Sequence, residues 1–203
     1  EKYICMKCWL DLPVTNFHVD PENNVARLFW GRVKIENATS YFFYRKGSRY
    51  QKLIQYIKYR GLKELGYELG IRLGDKLSVA PEYKPVGMIV PVPLHPKREK
   101  SRGYNQSEWI ARGIAVGCNH PVETCNLYRT VYNPTQTRKD RYGRWQNVEG
   151  IFKVRDPGRF EGRHILLVDD VITTGSTLEA CASAILRVPG TCVSIATLAV
   201  AYM

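Results

Sequence analysis

The sequence predicts an α/β fold, a parallel sheet flanked by helices. Two observations carry this. Short, continuously apolar runs such as Val86–Val92 and Ile165–Val168 read as strands buried on both faces of a sheet. These runs alternate with stretches of helical periodicity, the order that builds a parallel sheet. A third observation locates the working edge. In Ile165-Leu-Leu-Val-Asp-Asp-Val-Ile-Thr-Thr-Gly-Ser-Thr177, two adjacent acids follow the apolar run and a hydroxyl-rich turn follows the acids. Asp169 and Asp170 are thus expected at the carboxyl end of a strand, where open α/β sheets place their ligands.

The elements are read in chain order. Residues 1–39 look like a separate, loop-rich segment, opened by Cys5-Met-Lys-Cys8 and punctuated by Pro13, Pro21 and an Asn-rich turn. Residues 40–203 are expected to form the main domain, with 40–84 as a cap or hood beside its sheet. Ser40–Arg45 is rich in aromatics and reads as a strand. Leu53, Ile54 and Ile57 give Ser48–Tyr59 an amphipathic helical pattern, which Gly61 breaks. Leu65, Leu69, Leu73 and Leu77 mark a second helix over Lys63–Leu77. Val86–Val92 is a strand ended by Pro91 and Pro93. Residues 94–103 read as a basic loop, Gln106–Val116 as a helix and Gly150–Val154 as a short strand. The motif strand over 164–168, a helix over 176–187 and a last strand over Cys192–Val200 complete the chain.

Lys and Arg number 30 against 19 Asp and Glu, a formal charge of +11. That excess suits polyanions, either nucleic acid or a substrate bearing several phosphates, and equally a basic solvated surface. No apolar run approaches the roughly 18 residues of a membrane span, so no membrane insertion is expected. No signal-peptide pattern opens the chain. The start at Glu1 rather than Met implies residues upstream. Of six cysteines only Cys5 and Cys8 have a motif spacing, while Cys181 and Cys192 fall in apolar rhythms as small core residues. Without a disulfide framework, a reducing cytoplasm is the expected location.

Thr173 to Thr177 supplies hydroxyls, a permissive Gly175 and the free N–H groups of a helix start, a ready anion site. The two acids suit sugar hydroxyls or a metal-bound ligand. A plain helix-capping turn is the alternative, but adjacent acids at a sheet edge serve no purpose in a cap. Neither a Gly-x4-Gly-Lys-Ser/Thr loop nor a strand-linked Gly-x-Gly-x-x-Gly occurs. The thirteen-residue stretch 165–177 resembles the phosphoribosyl-pyrophosphate (PRPP) motif of type I phosphoribosyltransferases. The basic loop directly after Val92 offers Lys97, Arg98, Lys100 and Arg102. Arg suits bidentate phosphate contacts, and Lys100 is the most ordinary surface residue of the four.

A wider resemblance follows from four further motifs. Val90-Pro-Val-Pro-Leu-His-Pro-Lys-Arg98, Arg102-Gly-Tyr-Asn-Gln106, Asn133-Pro-Thr-Gln-Thr-Arg138 and Arg144-Trp-Gln-Asn-Val148 resemble, in this order, the ComF family of competence-associated, phosphoribosyltransferase-like proteins. Leu12-Pro-Val-Thr-Asn-Phe-His18 looks like its Bacteroides-group variant. The resemblance implies a type I phosphoribosyltransferase core, an N-terminal zinc ribbon, and a link to uptake and handling of single-stranded DNA. It also implies Mg²⁺ bridging the pyrophosphate and ribose hydroxyls of PRPP. On that basis Asp169 and Asp170 face the ribose, and Thr173, Thr174, Gly175, Ser176 and Thr177 hold the 5′-phosphate. Lys97, Arg98 and Arg102 face the pyrophosphate.

Residues 133–148 have the polar, basic character of a lid, and Arg138 or Lys139 would close over the pyrophosphate. Tyr142 and Trp145 among these charges would also suit single-stranded nucleic acid. A zinc ribbon needs four ligands. Cys5 and Cys8 supply half of them, His18 is a conceivable third, and the Cys118–Cys125 spacing is wrong for a knuckle. Zn²⁺ is therefore expected in a longer protein, and in this chain Cys5 and Cys8 make only half of a possible site. Two functions remain open. One is transfer of a phosphoribosyl group from PRPP to an acceptor with release of pyrophosphate. The other is a non-catalytic PRPP sensor that binds single-stranded DNA and uptake proteins. Residues 41–80, the expected acceptor side, carry no motif that names the acceptor.

Overall fold

In a computed structural model that describes residues 3–130 and 150–201, the helices and strands follow a βα order after a helical N-terminal segment. They are α1 (Met6–Leu10), α2 (Asn24–Arg27), β1 (Ala38–Tyr44), α3 (Arg49–Tyr59), α4 (Lys63–Val79), β2 (Met88–Pro91), α5 (Pro96–Arg102), α6 (Gln106–Cys118), β3 (Leu127–Arg129), β4 (Phe152–Val154), β5 (His164–Ile172), α7 (Ser176–Ile185) and β6 (Cys192–Ala201). The main sheet has the order β1-β6-β5-β2, and its paired strands are parallel. The α/β class read from the sequence is the class observed.

Both faces of β5 are covered, which explains its unbroken apolar run. Leu166 and Val168 join a core with Ile57 of α3, Leu69 and Leu73 of α4 and Ile110 and Ile114 of α6. Ile165 and Leu167 point the other way, into a core with Leu178 and Cys181 of α7, Val25 and Phe29 of the N-terminal segment, and Leu127 and Phe152. Period-two alternation of side chains divides one strand between two cores.

Three expectations change in detail. β5 does not stop at Val168. It runs on to Ile172 because β6 is long enough to pair with it through Val171↔Ala199 and Ile172↔Val200. The two acids therefore sit inside a strand, just past the last β2 pair, Pro91↔Val168. The basic stretch is not a loop but the helix α5. The His95 side chain accepts from the Lys97 N–H at 3.1 Å, Pro96 occupies the first turn, and Gly103 closes the helix at φ 83°. The short strand after Gly150 does not join the main sheet; β4 pairs antiparallel with β3 in a separate two-stranded ribbon. The expected lid, 133–148 with Arg138, Lys139, Tyr142 and Trp145, lies outside the described residues.

Two packing details set the site. α4 and α6 approach closely through glycines: a Cβ on Gly113 would stand 2.1 Å from the Tyr67 carbonyl oxygen, and one on Gly70 2.4 Å from that of Ile110. The N-terminal segment packs into the same body. Asn23 caps α2 and donates to the Ala38 carbonyl at 2.8 Å, at the start of β1. Val14 forms an antiparallel bridge with Phe42.

Candidate functional site

The acid pair is held from two sides. Asn105 links the end of β2 to the start of α6. Its amide donates to the Val92 carbonyl at 3.0 Å, and its side-chain oxygen accepts from the Ser107 N–H at 3.1 Å. This capping places the Ser107 hydroxyl 2.7 Å from Asp169 Oδ1, to which it donates. The Asp170 N–H donates to the same oxygen at 2.9 Å. Asp170 follows the pleat toward α3 and meets Lys58, whose Nζ lies 2.9 Å from Asp170 Oδ1. The other Asp170 oxygen, Oδ2, is buried without a hydrogen-bond partner among the described residues.

These contacts set the charges. Burial, and after it the Asp170 charge, push Asp169 up to about 7, against the Ser107 bond, Lys58 and the Asp170 N–H. Burial works against the Lys58 ammonium, but Asp170 and then Asp169 outweigh it and hold its pKa above the ordinary value.

The turn after β5 opens a helix without a side-chain cap. Gly175 precedes α7 in the left-handed region at φ 75°, and among the described residues no side-chain cap bond closes the helix start. In any helix those groups lack intrahelical partners and carry the positive end of the helix dipole. Here they open onto a cleft lined by Asp169, Val171 and residues 172–178. Thr174 and Ser176 hydroxyls stand 3.1 Å apart within it.

The N-terminal segment braces this turn. The Phe29 ring lies where a Cβ on Gly175 would reach 3.2 Å. Arg32 donates to the Thr174 carbonyl at 2.8 Å and pairs with Glu179 of α7. No sequence signal marks Phe29 or Arg32 as part of the site, because their partners lie some 140 positions away. Lys58 and Ser107 escape sequence reading for the same reason; Ser107 is 62 residues from Asp169.

The structure thus gathers Asp169, Asp170 and Thr173 to Thr177 at one edge. Lys97, Arg98 and Arg102 stand on α5. Arg102 bonds Gln106 and lies 5.4 Å over the Tyr59 ring, next in sequence to Lys58. Arg98 faces Arg129 of β3, whose guanidinium is lowered from its ordinary value by burial and by that like charge. His95 is lowered by partial burial and by Arg129, Lys97 and Arg98, so α5 and β3 share one electropositive patch. Cys5 and Cys8 stand at α1. A hydrogen bond with the Cys5 thiol, followed by burial, raises Cys8. His18 faces Lys76 and Glu82, with burial and Lys76 lowering its pKa. Among the described residues no group of three or more His, Cys, Asp or Glu could hold a metal, so a closed four-ligand zinc site does not fit them. Among the same residues no helix is long and apolar enough to cross a membrane.

Comparison with known proteins adds to this geometry. Residues 91–201 match the family model described as phosphoribosyl transferase domain. The chain is 36% identical over 101 residues to the DNA utilization protein YhgH of Salmonella typhi, covering 49% of this chain and 43% of that protein. It is 34% identical over 100 residues to the competence protein ComFC of Bacillus subtilis (49% and 38%). It is 36% identical over 92 residues to the competence protein F of Haemophilus influenzae (45% and 40%). The match spans less than half the length of these relatives. Among solved structures, the glutamine PRPP amidotransferase from B. subtilis complexed with ADP and GMP matches with a TM-score of 0.42 and 21% identity, over 64% of this chain and 26% of that one.

Proposed function

We propose, since this chain belongs to the phosphoribosyl transferase domain family as a ComF-type member, that it binds PRPP with Mg²⁺ and transfers the phosphoribosyl group to an acceptor, in the service of DNA uptake. One observation carries the reading. The uncapped N-terminus of α7, entered through left-handed Gly175, and Asp169 line one cleft, and Asp170, the next residue of β5, carries a buried oxygen with no hydrogen-bond partner among the described residues. An anion-binding turn that follows an acid pair on the same strand end suits a ribose 5-phosphate.

In this reading Thr173, Thr174, Gly175, Ser176 and Thr177 receive the 5′-phosphate through backbone N–H groups and hydroxyls. Asp169 and Asp170 accept the ribose hydroxyls, and the orphaned Asp170 Oδ2 gains a partner. The same two carboxylates fit Mg²⁺, which when bound neutralises pyrophosphate charge. Lys97, Arg98 and Arg102 supply positive charge on the side where pyrophosphate leaves. The C1–oxygen bond breaks with its electron pair going to pyrophosphate, and the acceptor's lone pair forms the new bond to C1. The chain's contribution is positioning and stabilisation of charge that develops as that bond breaks.

A second reading draws on a different observation. Arg102 lies over Tyr59 at 5.4 Å and Lys63 over Trp109 at 4.4 Å, and Tyr59 is 73% exposed. Cations stacked on aromatics, one exposed and one half-buried, suit single-stranded DNA, as the names of the relatives would fit. A PRPP-binding module with little turnover would then serve uptake by contact. Calorimetry with Mg²⁺-PRPP tests the shared core: Asp170→Asn should bind far more weakly than the wild type, and equal affinity would sink the site assignment. Pyrophosphate release across a panel of nitrogenous acceptors separates the readings. Robust turnover with one acceptor supports the transferase. Salt-sensitive binding to single strands without turnover supports the module.

A further inference from the structure

Lys58 lies outside the stretch matched by the family model, residues 91–201, yet it provides the cation of the acid pair. Its Nζ is 2.9 Å from Asp170 Oδ1, with Asp170 4% exposed and Lys58 26% exposed. α3 fixes it there. The preceding Ile57 is fully buried, and the Ile57 carbonyl accepts from the Tyr104 hydroxyl. On the other side Ser107 holds Asp169 Oδ1. Lys58 therefore faces both carboxylates, with Tyr59 beside it.

Two carboxylates on neighbouring residues, partly shielded from water, need compensation, because desolvation and mutual repulsion both oppose their charge. Either an ammonium or a divalent cation can provide it. They compete for the same oxygens, and the structure has the ammonium in place.

We propose that Lys58 is the resident counterion of the acid pair and keeps a free divalent cation off it, so that metal enters with PRPP and not before. The last clause rests on the PRPP reading of the site; the exclusion itself does not. A protein that admitted Mg²⁺ alone would have its ribose-binding acids occupied before substrate arrived. Lys58 compensates them instead and leaves their oxygens exchangeable.

The test uses Mn²⁺ as probe, without PRPP, on the whole chain. Lys58→Met retains an apolar stem and removes the charge. Free Mn²⁺ is followed by electron paramagnetic resonance and melting by circular dichroism. Lys58→Met should melt below the wild type and recover as Mn²⁺ is added. It should also bind Mn²⁺ about tenfold more tightly than the wild type, the counterpart of ~1.4 kcal/mol. Lys58→Arg should behave as the wild type, and Lys58→Met combined with Asp170→Asn should lose the gained binding. Equal Mn²⁺ affinity in wild type and Lys58→Met overturns the proposal. Should Lys58→Met fold only in Mn²⁺, the proposal is supported; should it fail to fold even then, it is overturned. A wild type that excludes Mn²⁺ and also fails to bind Mg²⁺-PRPP refutes the PRPP reading while the exclusion stands.

Discussion

Replacing Ser107 by Ala should move the pH dependence of PRPP binding to higher pH. The Ser107 hydroxyl donates to Asp169 Oδ1 at 2.7 Å, and that bond favours the charged carboxylate. A hydrogen bond to a charged group contributes about 1.5–3 kcal/mol, and one pKa unit corresponds to ~1.36 kcal/mol. Its loss should raise Asp169 by roughly one to two units. Wild-type Asp169 already stands at about 7, through burial and the Asp170 charge. The ionised form is the one that accepts ribose hydroxyls, so wild-type affinity should climb as pH rises through about 7 and level off above. In Ser107→Ala the climb should move to roughly pH 8–9, and affinity at neutral pH should fall roughly five- to fiftyfold. Calorimetry across this range with Mg²⁺ held constant measures both midpoints. The titration of PRPP itself is common to the two proteins and drops out of the difference. Coincident midpoints would refute the assignment of Asp169 as the titrating ligand. A midpoint shift that persists in an Asp169→Asn background would do the same.

Further outcomes follow from the same contacts. The raised Asp169 also predicts the stability profile. The native state takes up a proton more readily than the unfolded chain, so the stabilisation is full below the ordinary value of 3.8 and is lost as pH rises through about 7. Asp169→Asn should flatten the melting temperature across that window, and an unchanged slope would count against the raised value. Gly113→Ala drives a methyl to 2.1 Å from the Tyr67 carbonyl oxygen and 2.9 Å from the Ile71 nitrogen, both backbone atoms. It should cost about 1–3 kcal/mol or more in chemical denaturation, and a neutral result would contradict the close α4–α6 contact. Arg32→Ala removes the donor to the Thr174 carbonyl and the Glu179 pair. Hydrogen exchange at residues 173–177 should accelerate and PRPP affinity should drop, whereas unchanged exchange would show that the brace is idle.

What the sequence discloses and what it conceals divide along a physical line. The strand runs, the leucines of α4 and the acid–hydroxyl motif are legible because their pattern is local. A residue's place in a pleat or on a helix face depends on its near neighbours. Boundaries are less legible. β5 extends four residues past Val168 because β6 lies beside it, and nothing within residues 164–172 encodes the length of a neighbour. α5 could have been read from Pro96 and Gly103, which mark a helix start and stop, but four cations and a serine among its seven residues look like a solvated turn. The partners of the acids are the least legible of all. Arg102-Gly-Tyr-Asn-Gln106 is plain as a motif, yet its work is tertiary: Tyr104 ties α3, Asn105 ties β2, and the next residue, Ser107, meets Asp169. Lys58 is one of 30 basic residues, and composition cannot separate it from the other 29. Only the tertiary fold, which brings Lys58 of α3 to Asp170 of β5, makes it a cation of the site. A basic chain of this kind conceals its functional charges among its solvating ones, and burial beside a carboxylate is the physical mark that tells them apart.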